Sequence, residues 1–290
     1  MKKILITGAN SYIGTSFEKY VAQYADDYQV DTVDMLDDSW REKFFSGYDA
    51  VFHVAGIAHS DNGKISKKKE QLYYSVNTDL TVETAKKAKA DGVKQFIFMS
   101  SAIVYGNSAP LGKNKMITKD TPVSPANCYG DSKVQAEKGI LPLTDETFKV
   151  VILRPPMIYG KGSKGNYPLL AKFAKKLPVF PYVKNQRSAL YIEHLTEFIR
   201  LMVENEENGI FFPQNAEYSN TSEMVKMIGS AHGKKVRLIK GFAWALKLLG
   251  IFTGLINKAF GNLTYAQELS EYKQEYRKFS LSESIEATEK

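Results

Sequence analysis

Cysteine is nearly absent from this sequence, because Cys128 is the single cysteine among 290 residues. One thiol cannot form a disulfide within the chain, so a reducing compartment such as the cytoplasm is expected. A long hydrophobic run is missing at the start, where only Ile4-Leu-Ile6 follows Met1-Lys2-Lys3. Such a run is too short for the apolar region of a signal peptide, so these absences together predict a cytoplasmic protein.

Two classes of binding site are disfavoured by missing patterns. The histidines show no metal-ligand spacing with one another or with Cys128, so no metal site is predicted. Cys128 itself is interpreted as a small buried residue at a helix start. The net charge is +7, but the basic residues look dispersed and no nucleic-acid motif accompanies them, so nucleic acid is not predicted as a partner.

A strand-to-helix turn is predicted near the N-terminus. The apolar residues 3–7 predict a buried strand, and residues 12–24 have apolar side chains at helical spacing. Between them lies Gly8-Ala-Asn-Ser11-Tyr12-Ile13-Gly14, in which Ser11 replaces the middle glycine of the usual pattern. Such a turn aims backbone N–H groups and the positive helix end at a pyrophosphate, although a purely structural turn is the alternative.

A tyrosine and a lysine are spaced for proton transfer in Tyr129-Gly-Asp-Ser-Lys133. Residues four apart share one helix face, so the Lys133 ammonium is expected beside the Tyr129 phenol. A fixed cation lowers the pKa of a phenol from about 10, which would let Tyr129 exchange a proton with a carbinol oxygen. The alternative is a surface tyrosine with a solvated lysine.

Strands and helices alternate through the first half of the chain. Strands are predicted at residues 3–7, 28–33, 50–54, 95–100 and 149–153, and helices at 12–24, 71–91 and 128–139; residues 64–69 are predicted to form a solvated loop. This order predicts an α/β fold with a Rossmann-type, doubly wound parallel sheet. We expect a dinucleotide-binding domain over residues 1–155. Residues 156–290 are expected to form mainly a smaller, mixed α/β substrate lobe, with some segments returning to the first domain.

Four motifs occur in the order typical of one enzyme family. They are Thr7-Gly8-x-x-Ser11-x-x-Gly14, Asp49-Ala-Val-Phe-His53-Val54-Ala55-Gly56, Ser100-Ser101-Ala-Ile-Val-Tyr105-Gly106 and Leu153-Arg154-Pro155-Pro156-Met-Ile-Tyr159-Gly160. Together with the tyrosine and lysine, they resemble the extended short-chain dehydrogenase/reductase family, in its NAD-dependent epimerase/dehydratase branch that acts on nucleotide sugars. The resemblance covers nearly the whole chain.

The resemblance implies roles for particular residues. Ser101, rather than Ser100, matches the catalytic serine, and Tyr129 and Lys133 complete the catalytic set. Ser101 and Tyr129 would also contact the substrate, together with Asn166 and Arg187 in loops similar to those that hold nucleotide and diphosphate. The cofactor would contact Gly8, Ser11, Tyr12, Ile13, Gly14, Asp34, Val54, Ala55, Gly56, Lys133 and Pro156.

The cofactor is expected to be NAD or NADP, with a slight preference for NAD. An acidic residue about 20 positions after the glycine turn bonds the adenosine ribose and repels a 2′-phosphate. Asp34 and Asp31 are near that position. However, Asp34-Met-Leu-Asp37 also resembles a downstream adenine-contacting element of the family, in which case the ribose-binding acid is missing and NADP is the alternative.

The expected reaction is oxidoreduction at carbon 4 of a nucleotide-linked hexose or N-acetylhexosamine, with uridine diphosphate as the expected nucleotide. The Arg154-Pro-Pro and Asn185-Gln-Arg-Ser loops resemble those of 4-ketoreductases that make 6-deoxy-N-acetylhexosamines, and a 4-epimerase with tightly bound NAD is the alternative. A 4,6-dehydratase is disfavoured because Ala102-Ile103 follows Ser101 where that activity needs an acid/base pair. A non-catalytic dinucleotide sensor is disfavoured because such relatives lack the tyrosine and lysine.

The most apolar stretch of the sequence covers residues 242–260. Lys247 and Lys258 interrupt it and argue against a membrane-spanning helix. Its large apolar residues share one side of a helical wheel, which predicts an amphipathic helix. We expect this helix to pack on the substrate lobe or on a partner in a homodimer, and peripheral contact with a membrane surface is the alternative.

Overall fold

The computed structural model of the chain describes residues 1–57, 65–242, 257 and 259–290. The strands are β1 (Lys2–Thr7), β2 (Tyr28–Val33), β3 (Ala50–His53), β4 (Gln95–Met99), β5 (Met116–Ile117), β6 (Lys149–Leu153), β7 (Met157–Tyr159), β8 (Val179–Pro181), β9 (Ala189–Tyr191), β10 (Gly209–Phe211), β11 (Arg237–Ile239) and β12 (Thr264–Tyr265). The α-helices are α1 (Tyr12–Val21), α2 (Lys67–Tyr74), α3 (Leu80–Ala90), α4 (Cys128–Ile140), α5 (Tyr167–Lys176), α6 (Ile192–Glu204), α7 (Thr221–Ala231) and α8 (Leu281–Glu289). Most of the predicted apolar helix at 242–260 lies outside the described residues.

Six parallel strands form the central sheet in the order β10-β6-β4-β3-β1-β2. The chain leaves β1 toward one edge of the sheet and returns to the other side of β1 at β3. Strand order therefore reverses between β1 and β3, which is where doubly wound sheets bind their ligands, beyond the carboxyl ends of the strands. The predicted Rossmann-type fold is confirmed.

Helices cover both faces of this sheet because alternate strand residues point to opposite sides. Leu5, Val51 and Phe96 belong to one buried cluster with apolar residues of α3 and α4. On the other face, Phe52 of β3 packs edge-on against Phe17 of α1, with 5.4 Å between ring centroids. Both faces of the sheet are thus covered, which accounts for the apolar runs in β1, β3, β4 and β6.

The predicted helix at 71–91 is corrected by the structure in its start and its regularity. The α-helical segment begins at Lys67, where the Ser66 hydroxyl accepts a hydrogen bond from the Lys69 N–H at 3.3 Å. Residues 67–69 are therefore helical rather than part of the predicted loop. A π-helical turn at Ser75–Asp79 then separates α2 from α3. Such turns are often found at functional sites.

The chain divides into two compact units. The first comprises residues 1–106, 122–155 and 195–213, and the second comprises residues 107–121, 156–194 and 214–290. Residues 107–121 thus belong to the second unit and 195–213 to the first. The second unit has three small parallel sheets, formed by β8 with β11, β5 with β12, and β7 with β9, and its helices include α5, α7 and α8.

The positive charge of the chain is concentrated in one unit. The first unit has 18 Lys and Arg residues and 22 Asp and Glu residues, a net charge of −4. The second has 21 Lys and Arg residues and 10 Asp and Glu residues, a net charge of +11. The expectation that the basic residues are dispersed is therefore wrong when the two units are compared. Within the described part of the chain, no helix has the length and apolar character needed to span a bilayer.

Candidate active site

The turn after β1 has the geometry of a phosphate-binding loop. Gly8 has φ +112°, and a Cβ atom placed on it would lie 2.7 Å from the Ala55 nitrogen. Only glycine fits there, since the position needs both a positive φ and a close backbone approach. Asn10 is also left-handed, with φ 61°, and α1 begins two residues later. The turn therefore lies directly against the segment after β3.

Ser11 has a structural task in place of the expected glycine. Its hydroxyl accepts a hydrogen bond from the Gly14 N–H at 3.1 Å and caps α1. One N–H of the first helical turn is thus satisfied by the protein, and the other early N–H groups, those of Tyr12 and Ile13, have no partner in the helix. The Tyr12 hydroxyl is buried without a hydrogen-bond partner among the described residues, and burial raises its pKa to about 12. This combination fits a bound dinucleotide.

The segment after β3 connects the turn to the catalytic residues. The N–H groups of Val54 and Ala55 both donate to the Thr7 carbonyl, at 3.0 and 2.9 Å. A Cβ atom on the next residue, Gly56, would lie 3.3 Å from the Lys133 Nζ. The structure therefore brings together the predicted residues of the turn, the β3 end and the helix α4.

Two adjacent serines after β4 have different partners. Ser100 is buried and its hydroxyl donates to the Glu137 carboxylate. Ser101 caps a short 3-10 turn over Ala102–Tyr105, and its hydroxyl is hydrogen-bonded to Tyr129. Ser101 is thus the serine available beside the tyrosine, while Ser100 is committed to the interior.

Tyr129 lies in the first turn of α4, because the Asn127 side chain accepts the Gly130 N–H at 2.9 Å and starts the helix at Cys128. Its ring lies 5.9 Å from that of Tyr73. Burial raises the pKa of Tyr129, and the hydrogen bond from Ser101 opposes this in part. The direction is opposite to the predicted lowering, so the phenol is protonated at neutral pH. Cys128 is half-buried rather than buried as expected.

Lys133 is buried one turn further along α4. Its ammonium donates to the Met99 carbonyl at 2.9 Å and lies 4.6 Å from the centroid of the Phe98 ring. Burial lowers the pKa of Lys133 to about 8, while the nearby Glu137 carboxylate raises it. Lys133 is thus mainly protonated at neutral pH, although burial disfavours its positive charge.

A buried ion pair lies beneath these residues. The Glu137 carboxylate accepts two hydrogen bonds from Arg154, at 3.1 and 2.6 Å. The Arg154 guanidinium also donates to the Tyr105 hydroxyl at 2.6 Å. Sequence reasoning missed Glu137 as a functional residue, although its spacing of four from Lys133 and eight from Tyr129 places all three on one helix face.

Asn77 is a second residue that sequence reasoning missed. It lies in the π-helical turn and is fully buried. Its side chain accepts from the Ile57 N–H at 2.8 Å and donates to the Ile57 carbonyl and the Ser132 hydroxyl, at 3.2 and 3.1 Å. It therefore ties the segment after β3 to α4. No signal in the sequence marks a π-helical turn in advance.

The predicted ribose acid lies directly after β2. Asp34 is exposed and accepts the Leu36 N–H at 3.0 Å, while Asp31 accepts the Tyr48 hydroxyl at 2.9 Å. Asp37 caps a short 3-10 helix by accepting the Ser39 N–H at 2.9 Å. The nearest cation in sequence, Arg41, is paired with Asp38 and Glu83.

The other predicted contact residues belong to the second unit. Pro156 is the first residue of one of its segments. Asn166 precedes α5 without a side-chain capping bond, and Arg187 donates to the Gly261 carbonyl at 3.2 Å. Asn166 and Arg187 line one cavity of about 350 Å³, whose other walls are mainly apolar side chains, including Leu170, Phe173, Phe180, Met224 and Phe260. Desolvation in this setting lowers the pKa of Arg187.

The histidines of the described residues have structural partners. His53 is fully buried, with its ring nitrogens 2.7 and 3.0 Å from the hydroxyls of Thr7 and Thr81. Burial, aided by Lys133, lowers its pKa to about 3. His59 lies outside the described residues, and over the part that is described no cluster suited to a metal ion is found.

Comparison with known proteins agrees with this geometry. The family model for the NAD dependent epimerase/dehydratase family matches residues 4–212. The chain is 31% identical over 286 residues to a UDP-glucose 4-epimerase of Vibrio cholerae, covering 90% of this chain and 86% of that protein.

Solved structures share the fold at lower identity. A UDP-glucuronic acid 4-epimerase from Bacillus cereus in complex with NAD is 19% identical, with a TM-score of 0.73 over 98% of this chain and 96% of that one. A dTDP-4-dehydrorhamnose reductase from Bacillus anthracis in complex with NADP is 21% identical, with a TM-score of 0.66 over 83% and 84%. The matched family model and the sequence relative together establish that this chain belongs to the NAD-dependent epimerase/dehydratase family.

Proposed function

We propose that this enzyme reduces the 4-keto group of a nucleotide-linked 6-deoxy sugar, with uridine diphosphate as the nucleotide and NADH as the reductant. The observation on which this rests is the grouping of Ser101, Tyr129 and Lys133 beside the glycine turn and the β3 end, all within the first unit. A bound nicotinamide supplies the hydride that is added to carbon 4.

Tyr129 and Ser101 are the groups that we propose to bind the carbonyl oxygen at carbon 4. Because its pKa is raised, Tyr129 holds its proton at neutral pH and acts as the acid toward a carbonyl oxygen. Ser101 is placed to donate a second hydrogen bond to that oxygen, which stabilises the negative charge that develops there. Lys133, at the Gly56 backbone, holds a positive charge near the site.

The acidic loop after β2 favours NAD over NADP. Asp34, Asp37 and Asp38 follow the strand closely, and a 2′-phosphate on the adenosine ribose would be repelled there. The nearby Arg41 is already paired with Asp38 and Glu83 at the surface, so part of its positive charge is offset. We therefore expect NADH to bind more tightly than NADPH.

The cavity with Asn166 and Arg187 supports a nucleotide substrate. Its apolar walls suit a base, and the guanidinium suits a diphosphate because its planar fork bonds two oxygens at once. Arg187 is half-buried, which strengthens such a bond because less water competes for the group. We propose that Asn166 and Arg187 bind the nucleotide part of the substrate.

A 4-epimerase is the second candidate function. The Vibrio cholerae relative that favours it is named for that reaction and matches most of this chain. Ser101, Tyr129 and Lys133 would serve an epimerase equally well. In that reaction the 4-keto intermediate rotates in the site and receives hydride on its opposite face. The two reactions differ in whether reduced cofactor is consumed.

The deciding experiment follows the absorbance of the reduced nicotinamide with NADH or NADPH and a panel of UDP-linked 4-keto-6-deoxy sugars, followed by separation of products. Stoichiometric loss of NADH with one 4-keto sugar is the expected result. Tyr129→Phe should bind NADH normally and lose about 10²-fold or more in kcat. Interconversion of two 4-hydroxy sugars without loss of NADH would establish the epimerase. Cofactor binding with no turnover of any sugar would mean a dinucleotide sensor.

A further inference from the structure

The small sheet of β8 and β11 exposes apolar side chains to solvent. Alternate residues of a strand point to opposite sides, and Phe180 points inward, with its ring 6.1 Å from that of Phe173 and 6.0 Å from that of Phe260. The neighbouring Val179 and, on the paired strand, Ile239 are instead 43% and 37% exposed. Among the residues that the structure describes, no element covers Val179 and Ile239 on this face of the sheet.

The exposed apolar surface extends beyond β11. Phe242, three residues after Ile239, is 51% exposed. We call Val179, Ile239 and Phe242 the apolar patch. Single exposed apolar residues are common, but a contiguous exposed apolar patch with a polar rim marks an interaction surface.

Basic residues border the apolar patch. Val179 is directly opposite Arg237 in the ladder, and Arg237 lines a cavity of about 840 Å³ together with Lys226, Lys235 and Lys240. The carboxylate in the lining is Glu223, whose oxygen lies 3.7 Å from the Lys226 Nζ. Within the described part of the chain, the other three cations of the lining, Lys235, Arg237 and Lys240, have no carboxylate partner and can attract anions.

The end of α5 adds further cations to the same region. The Lys234 ammonium donates to the Lys175 carbonyl, which joins the start of β11 to the last turn of α5. Lys176, next in the chain and followed by Leu177, is exposed. The net charge of +11 in this unit gives the region a positive field.

Large apolar side chains surrounded by lysine and arginine are the composition of surfaces that lie on anionic lipid bilayers. We propose that the apolar patch and its basic border dock this protein on an anionic membrane surface, with the patch among the headgroups and Lys235, Arg237 and Lys240 at the lipid phosphates. Membrane contact is the alternative expectation for residues 242–260, and Phe242 is a described residue of that stretch that belongs to this surface. The proposal stands apart from the proposed function, because it concerns binding and no step of catalysis.

The test is sedimentation of the full-length protein with vesicles of phosphatidylcholine alone or of phosphatidylcholine mixed with phosphatidylglycerol. We expect binding to the mixed vesicles only. The triple variant Lys235→Gln/Arg237→Gln/Lys240→Gln should bind more than tenfold more weakly, since each basic residue near such a surface contributes about fivefold. Its matched control makes the same charge change at three exposed lysines of the first unit, Lys19, Lys86 and Lys138, and should bind like the wild type.

A second pair of variants tests the apolar contribution. Val179→Ser/Ile239→Ser should weaken vesicle binding severalfold, while Phe44→Ser/Leu141→Ser, at exposed residues of the first unit, should not. Circular dichroism on each variant establishes that it is folded. No sedimentation with phosphatidylglycerol vesicles would overturn the proposal, and so would equal losses in the control variants. Binding to double-stranded DNA that depends on the basic triple and not on the apolar pair would assign the surface to nucleic acid instead.

Discussion

Glu137 lies one helical turn beyond Lys133 and decides how much positive charge the site retains. A buried lysine loses its proton more easily than an exposed one, and a carboxylate nearby opposes that loss. Glu137 is itself held by Arg154 and by the hydroxyl of Ser100. The charge at the site therefore depends on a buried ion pair that does not touch the reacting atoms.

Replacing Glu137 should change both the stability of the fold and the pH dependence of kcat. Glu137→Gln leaves the Arg154 charge buried without its partner, which costs about 3–5 kcal/mol of unfolding free energy. The change also lowers the pKa of Lys133 below its value of about 8, so the alkaline decline of kcat should move to lower pH. The measurements are denaturant unfolding and a kcat profile between pH 6 and about 10.

The double variant Glu137→Gln/Arg154→Met is the control. It removes both charges, so most of the lost stability should return while the alkaline decline stays displaced. An alkaline decline that is unchanged in both variants would contradict the assignment of Glu137 as a positioning residue for the charge of Lys133.

His53 makes the stability of the protein depend on pH. Its pKa is about 3 in the folded chain and about 6.5 when unfolded, so between these values the unfolded state binds the extra proton. Stability from this residue is thus present above pH 6.5 and is lost as the pH falls toward 3. The difference in unfolding free energy between wild type and His53→Asn should shrink by about 2 kcal/mol from pH 7 to pH 5. A difference that is constant with pH would contradict the neutral, buried imidazole.

At the scale of elements, patterns of apolar residues predict five of the six strands of the central sheet to within one residue at each end. Four of these, β1, β3, β4 and β6, are largely buried, whereas the edge strand β2 is partly exposed and the short edge strand β10 is not predicted. The breaks in regularity are not predicted in the same way. The π-helical turn at Ser75–Asp79 depends on Asn77 reaching Ile57, which is 20 positions away in sequence. The burial that raises the pKa of Tyr129 is likewise a property of packing. Sequence spacing identifies which side chains share a helix face, but it does not show how deeply that face is buried.

The two glycines of α4 give a prediction about helix position. A Cβ atom on Gly130 would lie 2.9 Å from the Ile103 carbonyl, and one on Gly139 would lie 2.4 Å from a Val82 methyl group. Gly130→Ala and Gly139→Ala should each destabilise the fold, by about 1–3 kcal/mol. Gly130 follows Tyr129 and packs on the turn that begins at Ser101. Gly130→Ala, unlike Gly139→Ala, should therefore also move the hydroxyls of Ser101 and Tyr129 apart.

The matched pair is compared by thermal unfolding and by kcat under conditions where both variants are folded. Gly130→Ala should lower kcat by about tenfold or more, because small displacements of catalytic groups are costly. Gly139→Ala, at the far end of the same helix, should keep the wild-type kcat. Equal values of kcat in the two variants would mean that the contact at Gly130 is structural only.

At the scale of the whole molecule, the sequence motifs lie almost entirely in one unit and the positive charge lies in the other. Residues 107–121 belong to the second unit and residues 195–213 to the first, so the chain crosses between the units several times. The division depends on contacts between distant segments, such as those of β5 with β12 and β10 with β6. A linear boundary at residue 155 therefore describes only part of it, and the charge difference becomes visible only when residues are grouped by contact.

This charge difference predicts how salt affects the two ligands. We propose that the anionic nucleotide sugar binds to Asn166 and Arg187, in the unit of net charge +11, which attracts it. Salt weakens this attraction because it shortens the Debye screening length, to about 3 Å at 1 M. The KM for the nucleotide sugar should therefore rise by about threefold or more between roughly 0.05 and 0.5 M NaCl. NADH, held by the unit of charge −4, should show little weakening of its Kd over the same range. Arg187→Gln should raise KM at low salt and flatten its salt dependence, because one of the attracting charges is gone. If the Kd for NADH rose more steeply with salt than the KM for the nucleotide sugar, the attraction of the sugar by the second unit would be contradicted.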